Sequence, residues 1–303
     1  MMVPPQLSSS SLPLFERMAY IGIGLINSSV ARVVQRDKLA AATVACARSA
    51  VNRAAALHLG LVDVVTPDVT EAVTGADLIM LGTPVSAYEP LARIMAPHLS
   101  PGAIITDVGS VKETVIRNVI PHLPAHVHFV PGHPIAGTEH SGPEAGLTEL
   151  FVGRWTILTP LAGTNPTAVE RVRALWEACG ARVDLMDPAH HDRVLAITSH
   201  LPHLIAYTIV GTATDLEEDM QREVIKYSAS GFRDFTRIAA SDPVMWRDIF
   251  LNNRAAVLDS LQRFTEDLTA LQRAIRWGEG AKLEDLFTRT QAIRRSIIEA
   301  QQD

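Results

Sequence analysis

The stretch "YIGIGLINSSVARVV", Tyr20 to Val34, has the order of an apolar strand, a glycine-rich turn and the start of a helix. In such a turn Gly22 permits the tight reversal from strand to helix, and Gly24 leaves out the side chain that would block a pyrophosphate. Asn27 stands where a third glycine is usual, and we expect it to take up packing room between helix and strand. The stretch therefore predicts a dinucleotide site at a helix N-terminus.

Residues that follow the turn are expected to contact the phosphates. The backbone of Leu25 and Ile26 begins the helix, where free N–H groups and the helix dipole favour an anion. Ser28 and Ser29 are expected to add hydroxyl donors. Further along the chain, Thr83 and Pro84 end the apolar run "LIMLGTP" and are predicted to line the nicotinamide side of the site.

The end of the second strand bears on cofactor choice. An enzyme that uses NAD usually carries an acidic residue there, which binds the ribose 2′-hydroxyl. The stretch "TVACARSA" instead offers Ala47, Arg48 and Ser49. An arginine beside a small hydroxyl residue suits a 2′-phosphate, so the sequence predicts NAD or NADP, with a preference for NADP.

Short apolar runs alternate with helical stretches from residue 18 to residue 186. The candidate strands are "MAYIGI", "TVACA", "LIMLG", "AIITDV", "HFVPGHP" and "WTILTP". Apolar strands in this order predict parallel βαβ units, with helices on both faces of a doubly wound, Rossmann-type sheet. The fold class is therefore α/β, followed by an all-α domain, because no strand candidate follows "RVDLM".

Three regions are predicted: an N-terminal tail over residues 1–15, a dinucleotide-binding domain over 16–186, and a helical substrate and dimerisation domain over 187–303. In the last region Asp242-Pro243 is a typical helix start, with an N-cap acceptor before a proline. An apolar stripe with spacings of four and three follows, and it predicts a homodimer formed through this domain. The stripe contains Val257, Leu261, Phe264, Leu268, Leu271 and Ile275.

Composition excludes several classes of protein. With 27 basic and 33 acidic residues and a net charge of −6, the chain is not expected to bind nucleic acid. No apolar stretch is expected to reach the roughly 20 residues of a membrane span, and the N-terminus does not resemble a secretory signal. We therefore expect a cytoplasmic protein. Cys46 and Cys179 are interpreted as buried small residues without a functional role.

Four further stretches place polar residues among glycines and prolines. They are "TDVGSVKE" (Thr106 to Glu113), "GHPIAGTEHSG" (Gly132 to Gly142), "SHLPH" (Ser199 to His203) and "GFRDFTRIAASDPVMWRDIF" (Gly231 to Phe250). In order and content they resemble the prephenate and arogenate (cyclohexadienyl) dehydrogenases of tyrosine biosynthesis. The resemblance covers most of the chain, and its departures, at Asn27 and Ala47, concern the cofactor site.

This resemblance implies the oxidative decarboxylation of a cyclohexadienyl ring, with hydride transfer to a nicotinamide. It implies that His133 is the catalytic acceptor for the ring hydroxyl, and the same residue is suited to general base chemistry. Ser110 is expected to bond that hydroxyl or the nicotinamide amide; the alternative is a plain helix N-cap. Arg237 is implied to hold the substrate carboxylate, for which a planar guanidinium is well suited.

The resemblance also implies a substrate-facing surface on the helical domain. Ser199 and His203 are four residues apart, so on a helix they share a face, and Pro202 between them is expected to kink that helix. Glu139 and Asp234 are expected to orient neighbouring groups or to form a gate. Trp246 is a candidate substrate contact, with a role in the core as the alternative.

Two further interpretations concern metals and rival functions. His190, His191, His200 and His203 lie close in sequence, but no cysteine or carboxylate completes a tetrahedral spacing, so no metal is predicted. The rival functions are another two-domain dehydrogenase, acting on a hydroxy acid or imine, and a non-catalytic dinucleotide sensor. Prephenate and arogenate both stay open as substrates, and so does feedback inhibition by tyrosine.

Overall fold

The computed structural model describes residues 12–138, 140–214, 223, 226, 227 and 229–299. The chain divides into two compact units, one ending at Arg254 and the other beginning at Ala255. Within the first unit, the last strand ends at Leu185 and the next helix begins at Pro188. The predicted domain division at residue 186 falls between these two elements.

The described residues contain strands that form two sheets. The strands are β1 (Phe15–Ile21), β2 (Ala40–Cys46), β3 (Val64–Thr66), β4 (Leu78–Leu81), β5 (Ile104–Asp107), β6 (His128–Val130), β7 (Gly132–Pro134), β8 (Trp155–Leu158) and β9 (Arg182–Leu185). The larger sheet has the order β3-β2-β1-β4-β5-β6, and every neighbouring pair in it is parallel. This is the strand order of the dinucleotide-binding fold. The predicted fold class is confirmed.

The second sheet is a difference from the prediction. The run "HFVPGHP" is not one strand: Pro131 separates β6, in the parallel sheet, from β7, which pairs antiparallel with β8 in the order β7-β8-β9. Proline cannot donate a ladder hydrogen bond, and the chain changes sheets at this residue. The short strand β3 was not among the candidates, because three residues are too few to show a pattern.

The helices of the described residues fit the alternating order. They are α1 (Leu25–Asp37), α2 (Ala50–His58), α3 (Val69–Val73), α4 (Tyr88–Met95), α5 (Glu113–Val119), α6 (Pro166–Ala178), α7 (Pro188–Leu195), α8 (Leu201–Thr214), α9 (Ser230–Thr236), α10 (Pro243–Asn252), α11 (Arg254–Arg276) and α12 (Gly280–Glu299). The Asp242 side chain accepts a hydrogen bond from the Met245 backbone N–H, which confirms the predicted start of α10.

Both faces of the parallel sheet are buried. Met18 and Tyr20 of β1 belong to one hydrophobic cluster, and Ala19 and Ile21 belong to a second cluster on the opposite face. Phe15 is also fully buried in β1, so the predicted tail over residues 1–15 is too long by at least this residue; residues 1–11 lie outside the described part of the chain. Both faces are therefore covered, and in folds of this kind ligands bind at the carboxyl ends of the strands.

One helical run within the described residues, Pro188–Thr214, is long and apolar enough to cross a membrane by length and composition alone. This contradicts the expectation that no such stretch exists, because no Asp, Glu, Lys or Arg occurs from Val194 to Thr214. The run is α7, a π-helical turn over Ala196–His200, and α8. The proline ring at Pro202 crowds the carbonyl four residues earlier, and widening of the helix relieves that clash.

The second unit contains α12 and nearly all of α11. The predicted long helix is present as α11, but its apolar stripe is only partly covered within one protomer. Leu268 is 53% exposed and Ile275 is 67% exposed, and a groove lined by these residues, Leu271 and Phe287 runs along the unit.

Candidate functional site

The predicted nucleotide turn lies where the order of the parallel sheet reverses, between the carboxyl ends of β1 and β4. Gly22 has a φ of +88°, and a Cβ atom there would lie 2.8 Å from the carbonyl oxygen of Gly82. The Gly82 N–H donates to the Ile21 carbonyl oxygen at 2.8 Å. Gly22 is therefore required by both its backbone conformation and the close approach of the two strand ends.

Gly24 has a different role. Its backbone is extended, it precedes α1 without a side-chain cap, and a Cβ atom built on it would meet nothing within 4 Å. The first N–H groups of α1, at Leu25 and Ile26, have no acceptor within the helix. An open space in front of unpaired N–H groups fits the pyrophosphate of a dinucleotide.

Asn27 does more than take up room. It is buried, and its Nδ2 donates to the Gly22 carbonyl at 2.7 Å and to the Met80 carbonyl at 3.3 Å. A Cβ atom on Gly82 would lie 2.4 Å from the same amide nitrogen. The asparagine therefore occupies the space that Gly82 leaves, and it connects the turn to β4.

The expectation that Ser28 and Ser29 offer hydroxyl donors to a phosphate is wrong. Both residues are buried, and both hydroxyls donate to the Leu25 carbonyl, at 3.1 and 2.7 Å. Serine inside a helix commonly bonds the carbonyl three or four residues earlier, which explains this orientation. The Ser29 Oγ also accepts from the Leu147 N–H at 2.9 Å, so these hydroxyls serve packing.

The ribose end of the predicted site follows β2. Ala47 is buried and Arg48 is exposed, while the Ser49 hydroxyl accepts from the Asn52 N–H as the N-cap of α2. A second arginine, Arg53, donates from Nη1 to the carbonyls of Ala47 and Arg48, at 2.6 and 2.8 Å. The Arg53 guanidinium therefore lies at this corner, next to the backbone of the exposed Arg48. Thr83 and Pro84 follow β4, as expected.

His133 is held at the carboxyl end of β5, although not in the predicted way. It lies in the middle of β7, in the second sheet, rather than at the end of a parallel strand. The carboxylate of Asp107, the last residue of β5, accepts from the Gly132 N–H at 3.1 Å. The Lys112 Nζ donates to Asp107 at 2.5 Å and to the Gly132 carbonyl at 2.6 Å. A fully buried ion pair therefore connects His133 to the parallel sheet.

His133 also takes part in a chain of buried side chains. Its Nδ1 lies 2.9 Å from Nε2 of His191, and Nδ1 of His191 lies 2.8 Å from the Asp192 carboxylate. That carboxylate also accepts from the backbone N–H groups of Lys112 and Glu113, at 2.8 and 3.0 Å. His191 and Asp192 lie on α7, so this helix supports the histidine of β7.

Electrostatics keep His133 neutral. Burial is the main cause that lowers its pKa well below the usual value, and the neighbouring His191, Lys112 and His200 lower it further. Burial also lowers the pKa of His191, against the opposing effect of the Asp192 carboxylate. A neutral imidazole can accept a proton, which is the role predicted for His133.

Ser110 lies in the loop between β5 and α5 and is half-buried. The alternative that it caps the helix is wrong, because α5 begins at Glu113 and the Asp192 carboxylate bonds its first N–H groups. The Asp107 carboxylate accepts from the Gly109 N–H at 2.8 Å and so orders the loop beside Ser110. Ser110 therefore follows the strand whose end holds His133.

The "SHLPH" segment forms a separate cluster. The Nδ1 of His203 lies 2.8 Å from the Ser199 carbonyl oxygen, so it donates there and leaves Nε2 as an acceptor. The His203 ring stacks on Trp246 with ring centroids 3.6 Å apart. Trp246 is only 6% exposed and belongs to the hydrophobic core, and its contact with substrate stays a prediction. Ser199 and His203 share a face, as expected.

Arg237 and Asp234 are both exposed, on a 3-10 turn and on α9 respectively. Burial is the main cause that lowers the pKa of His203, and the charge of Arg237 lowers it further. Among the described residues, no ion pair involves the Arg237 guanidinium. Glu139 lies outside the described residues.

The neighbouring histidines have different partners. His191 contacts His133 and Asp192, His200 contacts Asn253, and His203 contacts Ser199. In the described part of the chain, no three His, Cys, Asp or Glu side chains are arranged to hold a metal ion.

A glycine turn at the reversal point of a parallel sheet, with a buried neutral histidine at the same sheet edge, defines a nicotinamide dinucleotide-dependent dehydrogenase. Family models match the chain over residues 30–185, described as the nucleotide-binding domain of prephenate dehydrogenase, and over 187–289, described as its dimerization domain. The chain belongs to the prephenate dehydrogenase family.

Similar proteins agree with this assignment. The cyclohexadienyl dehydrogenase of Zymomonas mobilis is 43% identical over 94% of this chain and 97% of its own length. The prephenate dehydrogenase of Aquifex aeolicus, crystallised with hydroxyphenyl propionate and NAD+, has a TM-score of 0.87 and 33% identity, over 96% of this chain and 100% of that one. The arogenate dehydrogenase of Synechocystis has a TM-score of 0.78 and 29% identity, over 92% and 99%.

Sequence reasoning missed four residues that hold His133: Asp107, Lys112, His191 and Asp192. The first two were quoted within "TDVGSVKE" but received no role, and His191 was considered only as a metal ligand. An acidic residue at the end of an apolar strand, followed five positions later by a lysine, is a usable signal, because a charge so close to a buried strand needs a partner.

Proposed function

We propose that this protein catalyses the NAD(P)-dependent oxidative decarboxylation of prephenate, arogenate or both, giving 4-hydroxyphenylpyruvate or tyrosine. The observation that carries the proposal is the buried, neutral His133, held at the same edge of the parallel sheet as the nucleotide turn. The family relationship supports it, and so do the aromatic ligand and NAD+ crystallised with the Aquifex protein.

The chemistry needs few groups. The bound nicotinamide would accept the hydride from C4 of the ring. Nε2 of His133 takes the proton of the C4 hydroxyl as that oxygen becomes a carbonyl. The ring carboxylate then leaves as CO2, and the electron pair of the broken C–C bond aromatises the ring and leaves an oxyanion at C4. His133 returns its proton to that oxygen, so the reaction releases no net proton.

Other residues bind and orient the substrate in this proposal. The Arg237 guanidinium holds a substrate carboxylate, with Asp234 and Glu139 as orienting or gating groups. Ser110 donates to the C4 hydroxyl or to the nicotinamide amide. Ser199 and His203 border the substrate, and at neutral pH the free Nε2 of His203 accepts a hydrogen bond rather than donating one.

The proposed cofactor preference is for NADP over NAD. Ala47 offers no carboxylate to a ribose 2′-hydroxyl, Arg48 follows it in the sequence, and the Arg53 guanidinium bonds the carbonyls of both residues. Opposite charge at this position favours a 2′-phosphate.

We propose further that two chains associate through their helical parts in the cytoplasm. The exposed stripe of α11 supports this, and so does the exposed Ile197 of the run Pro188–Thr214. Light scattering at micromolar concentration should give the mass of a dimer. The double variant Leu268→Asp/Ile275→Asp should weaken it, while Ala270→Asp, on the opposite side of α11, should not; a monomeric wild type contradicts the proposal.

The activity is tested by absorbance at 340 nm with prephenate or arogenate and with each cofactor. Growth of the signal with either substrate supports the proposal, and the relative kcat/KM values assign the preferences. An unchanged absorbance with both substrates, together with tight NADPH binding, would instead identify a dinucleotide sensor. Turnover of a hydroxy acid or of an imine alone would identify a different dehydrogenase.

A further inference from the structure

We propose that His191 and Asp192 are positioning residues that fix the tautomer of His133, so that its Nε2 is the atom that takes the substrate proton. The inference rests on the proposed function of His133 as the proton acceptor. It assigns a role to two buried residues of α7 that lie 58 residues or more along the chain from the histidine they support.

The direction of the hydrogen bonds follows from Asp192. Its carboxylate accepts from the backbone N–H groups of Lys112 and Glu113, and its third neighbour is Nδ1 of His191. A carboxylate has acceptor sites only. Nδ1 of His191 must therefore carry the hydrogen that points at Asp192.

The hydrogen on His191 determines the hydrogen on His133. Both imidazoles are neutral, because burial lowers both pKa values. A neutral imidazole has one N–H, so Nε2 of His191 is a lone pair, and Nδ1 of His133 donates to it across 2.9 Å. The hydrogen of His133 is then used inside the protein, and its Nε2 is left as a bare acceptor.

The opposite arrangement is unfavourable. With the hydrogen of His133 on Nε2, two lone pairs would face each other at 2.9 Å inside the protein, and buried nitrogens without hydrogen bonds are costly. The same reasoning explains why a carboxylate behind a histidine matters in other enzymes: it selects the tautomer and the ring orientation.

Lys112 connects both ends of the chain that runs from His133 through His191 to Asp192. The backbone N–H of Lys112 bonds Asp192, while its Nζ bonds the carbonyl of Gly132, which precedes His133. Asn253 adds a bond from Nδ2 to the Asp192 carbonyl oxygen at 2.8 Å. The distance between α7 and β7 is thus fixed independently of the two histidine rings.

Turnover of matched variants tests the role. His191→Leu removes the acceptor, and we expect kcat to fall about 10- to 100-fold while KM and cofactor affinity stay near wild type, because the proton acceptor loses its tautomer. His191→Gln places an amide oxygen near the position of Nε2 and should recover most of that loss. His190→Leu, an exposed neighbour on the same helix, is the control and should leave kcat unchanged.

A spectroscopic measurement tests the tautomer itself. In protein labelled with 15N-histidine, His133 should show a protonated Nδ1 and a bare Nε2. In Asp192→Ala, Nδ1 of His191 loses its acceptor, so neither ring is held in one tautomer and the bare Nε2 signal of His133 should weaken. This readout does not depend on activity, and it also applies if the leucine variant does not fold.

The outcomes separate the two proposals. A wild type whose His133 carries its hydrogen on Nε2 overturns the positioning role, and so does a folded His191→Leu protein with kcat within threefold of wild type. A protein that oxidises neither prephenate nor arogenate refutes the proposed function instead, while the labelled spectra still decide the tautomer. Four other titratable groups affect the pKa values of His133 and His191, and so contribute to the pH dependence of kcat. They are Lys112, His200, Asp107 and Asp192.

Discussion

Two regions lie at carboxyl ends of strands in one parallel sheet: the nucleotide turn from Gly22 to Asn27, and the histidine centre. The histidine centre is His133 with the side chains that support it, Asp107, Lys112, His191 and Asp192. The two regions are built in opposite ways. The turn works through missing side chains: Gly22 lets two strand ends approach, and Gly24 leaves open space before α1. The histidine centre works through added ones, since Lys112 and Asp192 fill buried positions and are bonded on several sides. Backbone N–H groups suffice to bind phosphate, whereas proton transfer needs one side chain in a fixed orientation. Adding atoms should therefore damage the turn, and removing them should damage the centre.

The sharpest test of the histidine centre is His133→Asn. We expect kcat to fall by about two to four orders of magnitude, the typical contribution of a general acid or base. Cofactor affinity should be nearly unchanged, because the turn does not depend on this side chain. Steady-state kinetics and fluorescence titration with NADPH measure both quantities, and near-normal turnover would remove His133 from the proposed role.

Arg237→Ala tests whether substrate binding depends on a residue outside the nucleotide turn and the histidine centre. We expect a higher KM for substrate, by roughly 30- to 700-fold, which corresponds to about 2 to 4 kcal/mol of lost interaction with a carboxylate. Arg237→Lys should be impaired too, since it loses the planar fork. Arg233→Ala, a basic residue of the preceding helix, serves as the control. An unchanged KM in Arg237→Ala would exclude the arginine from binding.

Gly24→Val adds atoms where the turn needs space. The new side chain meets no protein atom near its Cβ, so the melting temperature should hardly change. Cofactor affinity should fall about 100-fold, because the branched side chain takes the place of the pyrophosphate. Gly24→Ala should give a smaller loss. Calorimetric titration and thermal melts separate the two effects, and full affinity in the valine variant would contradict this account of the turn.

The double change Ala47→Asp/Arg48→Leu tests the ribose end of the turn. It supplies an acceptor for the 2′-hydroxyl and deletes a partner for the 2′-phosphate, so the ratio of affinities should move toward NAD by about tenfold or more. Titration of NAD and NADP against wild type and variant gives the ratio. A wild type that already strongly prefers NAD would show that "CARS" does not favour NADP.

Asn27→Gly should have the smallest effect on ligand binding. Loss of the buried amide leaves the Gly22 carbonyl without this partner, and we expect a loss of stability of about 1 to 3 kcal/mol. Cofactor affinity should stay within a few-fold, because Gly22 and Gly24 are untouched. Urea unfolding and NADPH titration check both statements; a large loss of affinity would mean that Asn27 shapes the phosphate site directly.

Local patterns predicted the features that depend on nearby residues. The apolar strands, the glycine turn and the start of α10 at Asp242-Pro243 were readable because strand and helix periods and capping act over a few positions. The hydroxyls of Ser28 and Ser29 were misjudged, since the same side chain bonds either a ligand or its own helix. The split of "HFVPGHP" between two sheets was missed because strand pairing is not local.

The sequence by itself determined the fold class, the family and the position of the nucleotide turn, because these follow from periodicity and from short motifs. Only the tertiary structure decided how His133 is supported. Its bond to His191 spans 58 positions, and the bond from Lys112 to Asp192 spans 80. No spacing rule connects residues so far apart; burial does, because a charged or hydrogen-bonding group removed from water is retained only where the fold brings it a partner.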